Sequence, residues 1–355
     1  MNEELKRGLR YVEPFVTIVG AWPLGPESAT FLKILQPFIA PICFFLVSFS
    51  IWPGFYYIFF KERDGKRRLK MILPVFHSMF QLAQYIVVLS KMKNIRMVLD
   101  DIRNDWFDTT EENRQFFREC TKVGNKIMSI LVIGVMGGGI GFRIILPLLK
   151  GRIVLPDNTT IRLLPCPIYL PFINDQVTPY YEIIFTLQAL SGICNYTILI
   201  STNAIILMIS LHMCGLIRIL RKKMTDFTEK SIISEMSIQR NIVTIVEHHT
   251  KIKIFLSNGQ TITEYICFLA LANIVFLMCL LGYCVTLSDN FAQTCITLDW
   301  YRFPPKKARY LIPIIIMSNY PIKLTALKVV EVSLSTYTNI VKMTVGYINM
   351  LREVV

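Results

Sequence analysis

The chain has 355 residues, of which 53% are hydrophobic and only 18% are charged, and its mean hydropathy is +0.47. Soluble domains carry about a quarter charged residues, so this composition argues against an ordinary soluble protein. The net charge of +13 does not indicate nucleic-acid binding, because no zinc-ligand spacing, basic recognition helix or aromatic RNA-binding motif accompanies it. Positive charge of this kind is typical of the cytoplasmic loops of membrane proteins.

Apolar runs long enough to cross a bilayer recur along the chain, since about 20 apolar residues span the hydrocarbon as a helix. They predict an all-α, polytopic membrane protein whose residues 1–355 form a single transmembrane domain. The charged segment 91–124 between two of the runs is predicted to be a solvated helix. The readable spans are 34–60, 69–90, 125–149, 180–214, 262–288 and 331–351.

The segment 308–330 is also apolar, but its pattern differs from that of a span. It is interrupted by Pro313, Pro321, Lys323 and Lys328. Proline breaks the backbone hydrogen-bond ladder, and lysine is costly in hydrocarbon. We therefore expect a buried helix that does not cross the membrane.

The orientation in the membrane is predicted from the amino terminus, from the distribution of positive charge and from a glycosylation sequon. The first thirty residues lack the apolar core of a signal peptide, so we expect the amino terminus to stay in the cytoplasm. The segments that would then be cytoplasmic carry more lysine and arginine than the outer loops. The loop 61–70 is an exception, because it is basic and would lie outside. The sequon at Asn158 would lie outside, where glycosylation takes place.

No pattern in the sequence indicates an enzyme, a metal site or a cofactor. His248 and His249 are adjacent, so on a helix they point about 100° apart and do not form the i, i+4 pair that binds zinc. With Glu247 they are predicted to form a solvated face. The glycine run 137–141 lies inside an apolar span, where it favours close helix packing or leaves room for a ligand.

The outer loop 150–181 contains five prolines and few charges. Because it is too apolar to be free in water, we predict a lid over a cavity among spans two, three and four. Apolar cavities with a few polar groups are how proteins hold small molecules. From the pattern alone, an ordinary core is the favoured alternative. The predicted lining residues are Phe76, Met79, Phe80, Met136, Gly137, Ile140, Phe185, Gln188, Ala189 and Gly192.

The last apolar stretch carries a polar stripe at helical steps of three and four residues. Polar side chains in a span are expensive unless they face protein or water. The stripe therefore predicts a subunit junction or an aqueous path, with a polar seam between neighbouring helices as the alternative. Its members are Ser335, Asn339, Lys342, Gly346, Asn349 and Glu353.

Four strings of the sequence resemble the insect odorant receptor family: TPYYEIIFTLQALSG, HMCGLIRIL, DWYRFPPKKARYLIPIIIMSNYPIKLTA and SLSTYTNIVKMTVGYINML. The resemblance implies a ligand-gated, non-selective cation channel in the plasma membrane of sensory neurons. It implies a tetramer with the olfactory co-receptor, and a volatile odorant bound among spans two, three, four and six. Residues 308–330 would belong to a cytoplasmic anchor where subunits meet, and 331–355 would form the pore helix.

By their position on such a pore helix, Met350 and Val354 are candidates for a hydrophobic constriction, which can gate by dewetting. Glu353 beside them would draw cations to the outer mouth, and Gly346 and Asn349 would line the same path. One departure from the family is clear. After LLGYCVTLS the family has a further span, whereas here SDNFAQTCITLDWY follows at once. A wall of the pocket would then be missing, and a non-functional shortened variant is one reading.

Three other classes remain as alternatives. A gustatory-type receptor channel is a near neighbour, although the HMCGLIRIL and DWY strings fit odorant receptors better. A G-protein-coupled receptor would carry D/E-R-Y after span three and NPxxY at the end of the last span, and neither occurs. A transporter would show an internal repeat with paired broken helices, whereas only one broken segment is present.

Overall fold

The computed structural model describes most of the chain up to Thr297 and short pieces beyond it. The chain divides into two compact units, residues 1–271 and 272–355. The described residues are 3–24, 30–63, 65–154, 160–166, 168, 170, 173–230, 235–297, 325–326, 330–331, 338–339, 342–343 and 346.

Helices dominate the described residues. Two stretches of π-helix, Ile133–Gly137 and Gly141–Ile145, interrupt the third long helix, and a third stretch, Tyr57–Lys61, ends the first one. The α-helices are α1 (Glu3–Gly8), α2 (Val12–Ile18), α3 (Thr30–Tyr56), α4 (Gly65–Ser90), α5 (Met92–Asp108), α6 (Glu111–Val132), α7 (Gly138–Ile140), α8 (Leu146–Lys150), α9 (Tyr180–Lys230) and α10 (Glu235–Thr297). A small hairpin pairs β1 (Arg152–Val154) with β2 (Thr160–Arg162).

Within the described residues, five helical stretches are long and apolar enough to cross a membrane, and they confirm the all-α, polytopic prediction. Each of the first five predicted spans falls on one of them. The helices are longer than the apolar runs that revealed them, because the polar ends continue the same helix. The five stretches are Thr30–Lys61, Met71–Ser90, Glu111–Lys150, Tyr180–Phe227 and Gln239–Leu280.

The charged segment 91–124 is helical, as predicted, but it is not solvated all round. Its first helix, α5, buries a stripe at helical spacing that includes Ile95, Val98, Ile102 and Trp106. A helix with one apolar stripe packs that stripe on the core and leaves its charges outside. The prediction of a fully solvated segment was therefore wrong for α5.

The helix α9 lies at the centre of the first unit, where it packs against α2, α3, α4 and α6. Its middle buries Ile198, Ile200 and Ala204 almost completely. Small hydroxyl side chains let neighbouring helices approach closely in a membrane protein. One such contact joins Ser191 of α9 to Ser50 of α3, with 2.7 Å between the hydroxyl oxygens.

The second unit is described only in part. Thr325–Ala326 (β3) and Val330–Glu331 (β4) pair as a short antiparallel ladder. The described residues within 308–330 are therefore extended, whereas a helix was predicted for this segment. Thr338–Asn339, Lys342–Met343 and Gly346 are helical, as expected for the helix predicted over 331–355, but its first residue, Glu331, is extended. The stretch after residue 288, where the departure from the family begins, continues α10 as far as Thr297. Residues 298–324 and the rest of the last predicted span lie outside the described residues.

Candidate functional site

The ten residues predicted to line a cavity lie on three helices that all belong to the first unit, but they are not all brought together. On α4, the Phe76 ring packs toward Phe55 of α3, with 6.3 Å between centroids, and Met79 is 39% exposed. Phe80, Met136, Ile140, Phe185 and Ala189 are half-buried, and Gly137 is exposed. Of the four predicted residues on α9, Gln188 and Gly192 are buried.

Gln188 holds the proline-rich outer loop onto α9. Its side-chain amide donates to the carbonyl of Cys166 at 2.9 Å, and its Oε1 accepts the Cys166 N–H at 3.0 Å. The amide thus pairs with one backbone residue as a β-strand partner would. Because Gln188 itself has no exposed surface, both hydrogen bonds are shielded from water and hold the loop firmly.

A second set of contacts ties the loop to the first turns of α9. The Arg162 guanidinium lies 3.0 Å from the Glu182 carboxylate and 5.1 Å from the centre of the Tyr181 ring. The Tyr181 hydroxyl donates to the carbonyl of Leu163 at 3.0 Å. The described part of the loop is therefore folded down on the helix, whereas its role as a lid stays a prediction.

Spans three and four cross through a reciprocal pair of glycine contacts, which we call the Arg143 crossing (Gly139, Arg143, Gly192 and Tyr196). The Tyr196 ring lies over Gly139, where an added Cβ would come within 2.5 Å of it. The Tyr196 hydroxyl donates to the Gly139 carbonyl at 3.3 Å. One turn away, Arg143 lies over Gly192, whose added Cβ would be 2.9 Å from Arg143 Cδ. On each helix, a glycine thus makes room for a large side chain of the other helix.

Arg143 is the functional candidate that the sequence analysis missed. It is 8% exposed, and within the described residues it has neither a hydrogen bond nor an ion pair, while its Nε is fully buried. It sits on the π-helical stretch Gly141–Ile145, and π-bulges in helices occur often at functional sites. A single arginine inside an apolar run was the signal that could have found it.

A second buried charge lies where α5, α9 and α10 meet, and we call it the Asp105 cluster (Asp105, His212 and Lys251). Asp105 is 2% exposed, and its Oδ2 lies 2.8 Å from His212 Nε2. Lys251 forms an ion pair with the other carboxylate oxygen. The His212 ring stacks on Phe117 with 4.8 Å between centroids. Sequence reasoning considered His248 and His249 instead, because nothing local distinguishes His212.

The environment of Asp105 keeps the carboxylate ionised. Burial by itself raises the pKa of Asp105, but hydrogen bonds from His212 and Lys251, together with their charges, outweigh it and lower the pKa below its ordinary value. A carboxylate held between two donors is the usual case of a depressed pKa. The cluster therefore ties three helices together through a satisfied charge.

Two cavities formed by the described residues lie elsewhere. One of about 60 Å³ lies among α1, α5, α6 and α9, and one of about 360 Å³ lies between α5 and α10. Neither is lined by any of the ten predicted residues. Within the described residues, no group of three or more His, Cys, Asp or Glu side chains is arranged to hold a metal ion.

Of the residues predicted to line the pore, the described residues include Gly346 alone. Gly346 is helical, but Asn349, Met350, Glu353 and Val354 lie outside the described residues, as does Asn158.

The helices, the buried polar contacts between them and the folded outer loop define a polytopic, all-α membrane protein. The model of one protein family, described as 7tm Odorant receptor, matches residues 64–298. The chain belongs to the odorant receptor family.

Relatives of known name agree with the family match. Odorant receptor 10 of Aedes albopictus is 20% identical over 241 residues, which cover 57% of this chain and 63% of that protein. Odorant receptor 30a of Drosophila melanogaster is 24% identical over 161 residues, covering 42% of this chain and 40% of that protein. The matched stretch thus spans less than two thirds of either relative.

Solved structures share the fold. The insect olfactory receptor OR5 from Machilis hrabei, alone and in complex with eugenol, matches 99% of this chain and 98% of its own at a TM-score of 0.55. The sequences are 14% identical, so the likeness concerns the fold alone.

Proposed function

We propose that this chain is an odorant receptor subunit that forms an odorant-gated, non-selective cation channel with the olfactory co-receptor in the plasma membrane. The family match over residues 64–298 carries the proposal. The OR5 structures support it, because one of them holds eugenol, a small organic molecule, in a chain of the same fold. By analogy, the ligand of this chain is a small volatile odorant.

The odorant site we propose lies among spans two, three and four, beneath the proline-rich outer loop. Two observations support this placement. Gln188 fastens the loop to α9 through Cys166, and Ala189 follows Gln188 on the same helix. The π-helical turns of span three next to α9 give that span an irregular surface, which favours a pocket over regular helix packing.

The test is an electrical one. The full chain is expressed with the co-receptor, and a panel of odorants is applied while cation current is recorded with G proteins blocked by a non-hydrolysable GDP analogue. A current that persists under the block is expected. No current from a chain that reaches the cell surface would contradict the proposal and favour a non-functional shortened variant. A response to tastants alone would favour a gustatory-type channel.

The site itself is tested by a matched pair of substitutions. Ala189→Trp places a large ring at the proposed pocket and should abolish or retune the odorant response while surface expression persists. Leu190→Trp makes a similar change at a neighbouring side chain that is 47% exposed, and it should leave the odorant profile unchanged. Identical profiles for both variants and the wild type would remove the pocket from this part of α9.

The pore that we propose runs along the last helix, with Met350 and Val354 as its hydrophobic constriction and with Gly346, Asn349 and Glu353 beside them. Hydrophobic rings gate by dewetting, and acidic rings select cations. Met350→Ala should raise the basal current, and Glu353→Gln should weaken the preference for cations. Unchanged leak and selectivity in both variants would show that this helix does not line the pore.

The proposed orientation places Asn158 outside the cell. An endoglycosidase should then reduce the mass of the wild type but not that of Asn158→Gln, and an external protease should spare residues 221–253. Cleavage there from outside would reverse the orientation.

A further inference from the structure

The Arg143 crossing leaves a charge without a partner inside a membrane-spanning helix. Arginine is ionised at any physiological pH. Burying one without a counter-charge is expensive, and ionisable residues in spans therefore pair with another group or serve a function. Arg143 is 8% exposed and has no hydrogen bond or ion pair within the described residues. Other buried charged groups, such as Asp105, do have partners.

The crossing is built so that the guanidinium has a defined place. Gly192 makes the room: an added Cβ would lie 2.9 Å from Arg143 Cδ and 3.2 Å from Nε. Tyr196, one turn along α9, lies over Gly139 and fixes the distance between the two helices. Through its contact with Gly192, the arginine thus stands next to a residue of the proposed odorant site.

We propose that Arg143 is the polar anchor of the odorant site and that it binds the carboxylate of a small carboxylic acid; the inference rests on the proposed function. The guanidinium presents a planar fork of donors that matches a carboxylate with two parallel hydrogen bonds. A carboxylate supplies both the missing hydrogen bonds and the missing negative charge. A neutral alcohol or ester would supply hydrogen bonds but no negative charge.

A lipid phosphate is the competing occupant, and the position of Arg143 argues against it. Arg143 lies seven residues before Lys150, where the helix ends, so it is about 10 Å along the helix from that end. A long side chain near a helix end can reach the headgroups, but one that is nearly enclosed between two helices has little access to them.

The inference is tested by binding to the purified full chain in neutral nanodiscs at pH 7, with hexanoic acid, methyl hexanoate and 1-hexanol as probes. The three differ at the head group and share the same tail. Hexanoate should bind most tightly. Arg143→Gln should weaken its binding by roughly tenfold to a hundredfold, the usual effect of losing hydrogen bonds to a charged group. The binding of hexanol should change by less than about threefold, since its apolar contacts persist.

Two further variants serve as controls. Arg218→Gln removes another arginine, one that already has Glu119 as its partner, and should leave hexanoate affinity unchanged. Arg143→Lys keeps the charge but loses the fork, and should bind hexanoate with intermediate affinity. The comparison of the three probes on the wild type needs no variant. The inference can therefore be tested even if Arg143→Gln misfolds. Hexanoate binding no better than hexanol would overturn it.

The remaining outcomes separate this inference from the proposed function. If neutral odorants open the channel but hexanoate does not bind, the inference fails and the function stands. If hexanoate binds through Arg143 but no odorant evokes current with the co-receptor, the proposed function fails. If only anionic phosphatidylglycerol nanodiscs stabilise the protein through Arg143, the occupant is a lipid and the inference is overturned.

Discussion

The Asp105 cluster and the Arg143 crossing both bury a charged side chain, and they differ in what surrounds it. Asp105 receives His212 and Lys251 from two other helices. Arg143 meets a glycine and has no partner within the described residues. A buried charge that is ion-paired fixes the position of its helices, whereas an unpaired one inside a span is a candidate functional site. The comparison separates a structural site from a candidate binding site within one unit.

The largest expected effect is that of Asp105→Ala. It leaves Lys251 without its counter-charge and His212 without its hydrogen-bond partner, and breaking a buried pair from one side costs about 3 kcal/mol or more. Unfolding of the purified chain in detergent, followed by circular dichroism, should show this loss. Asp100→Asn is the matched control on α5, because its ion pair with Arg103 is exposed and is worth less than about 1 kcal/mol. Equal stability of the two variants would show that the Asp105 cluster is not structural.

Gly139→Ala tests whether the Arg143 crossing is tightly packed. The new methyl would lie within 2.5 Å of the Tyr196 ring, and overpacking of this kind costs about 1–3 kcal/mol. Gly138→Ala is the control, because a Cβ at Gly138 meets nothing within 4 Å, and alanine favours a helix over glycine by up to about 1 kcal/mol. We expect the melting temperature to fall in the first variant only. A fall in both would mean that the glycines serve backbone flexibility.

Gln188→Ala tests the fastening of the outer loop. It removes two hydrogen bonds and leaves the N–H and C=O groups of Cys166 unpaired, which costs about 1–3 kcal/mol. Because the loss is local, hydrogen exchange at residues 160–166 should accelerate while that of α9 is unchanged. Gln188→Met keeps the length of the side chain but loses both hydrogen bonds, and it should accelerate exchange as much as Gln188→Ala does. Equal exchange in the wild type and Gln188→Ala would show that other contacts hold the loop.

The smallest effect concerns pH. The pKa of Asp105 is lowered in the folded chain, so its carboxylate contributes stability that is complete above the unfolded pKa of about 3.9. This stability is lost as the pH falls through the folded pKa. The difference in melting temperature between the wild type and Asp105→Asn should therefore shrink only below about pH 4. In a His212→Gln background, whose amide still donates to Asp105 but does not titrate, the same shrinkage should persist. Shrinkage already at pH 6 would contradict the lowered pKa.

The sequence predicted the candidate site only in part. Gln188 and Gly192 were named for a cavity, and the structure gives them other contacts: one fastens the outer loop and the other accommodates Arg143. Phe76 was predicted to face the same cavity; its ring centroid lies 6.3 Å from that of Phe55 on α3, and its place in the cavity stays a prediction. Helical periodicity identifies which residues share a face, but the rotation of a helix against its neighbours depends on side chains far away in sequence.

What the sequence by itself determined is the class of protein and the placement of its first five spans. Long apolar runs report local properties, length and hydrophobicity, which a bilayer converts directly into helices. Only the tertiary structure decided which charges are satisfied. Asp105 finds His212, 107 residues away, and Arg143 finds a glycine on another helix. Partners so distant are brought together by the packing of whole helices, and no local pattern in the sequence encodes that packing.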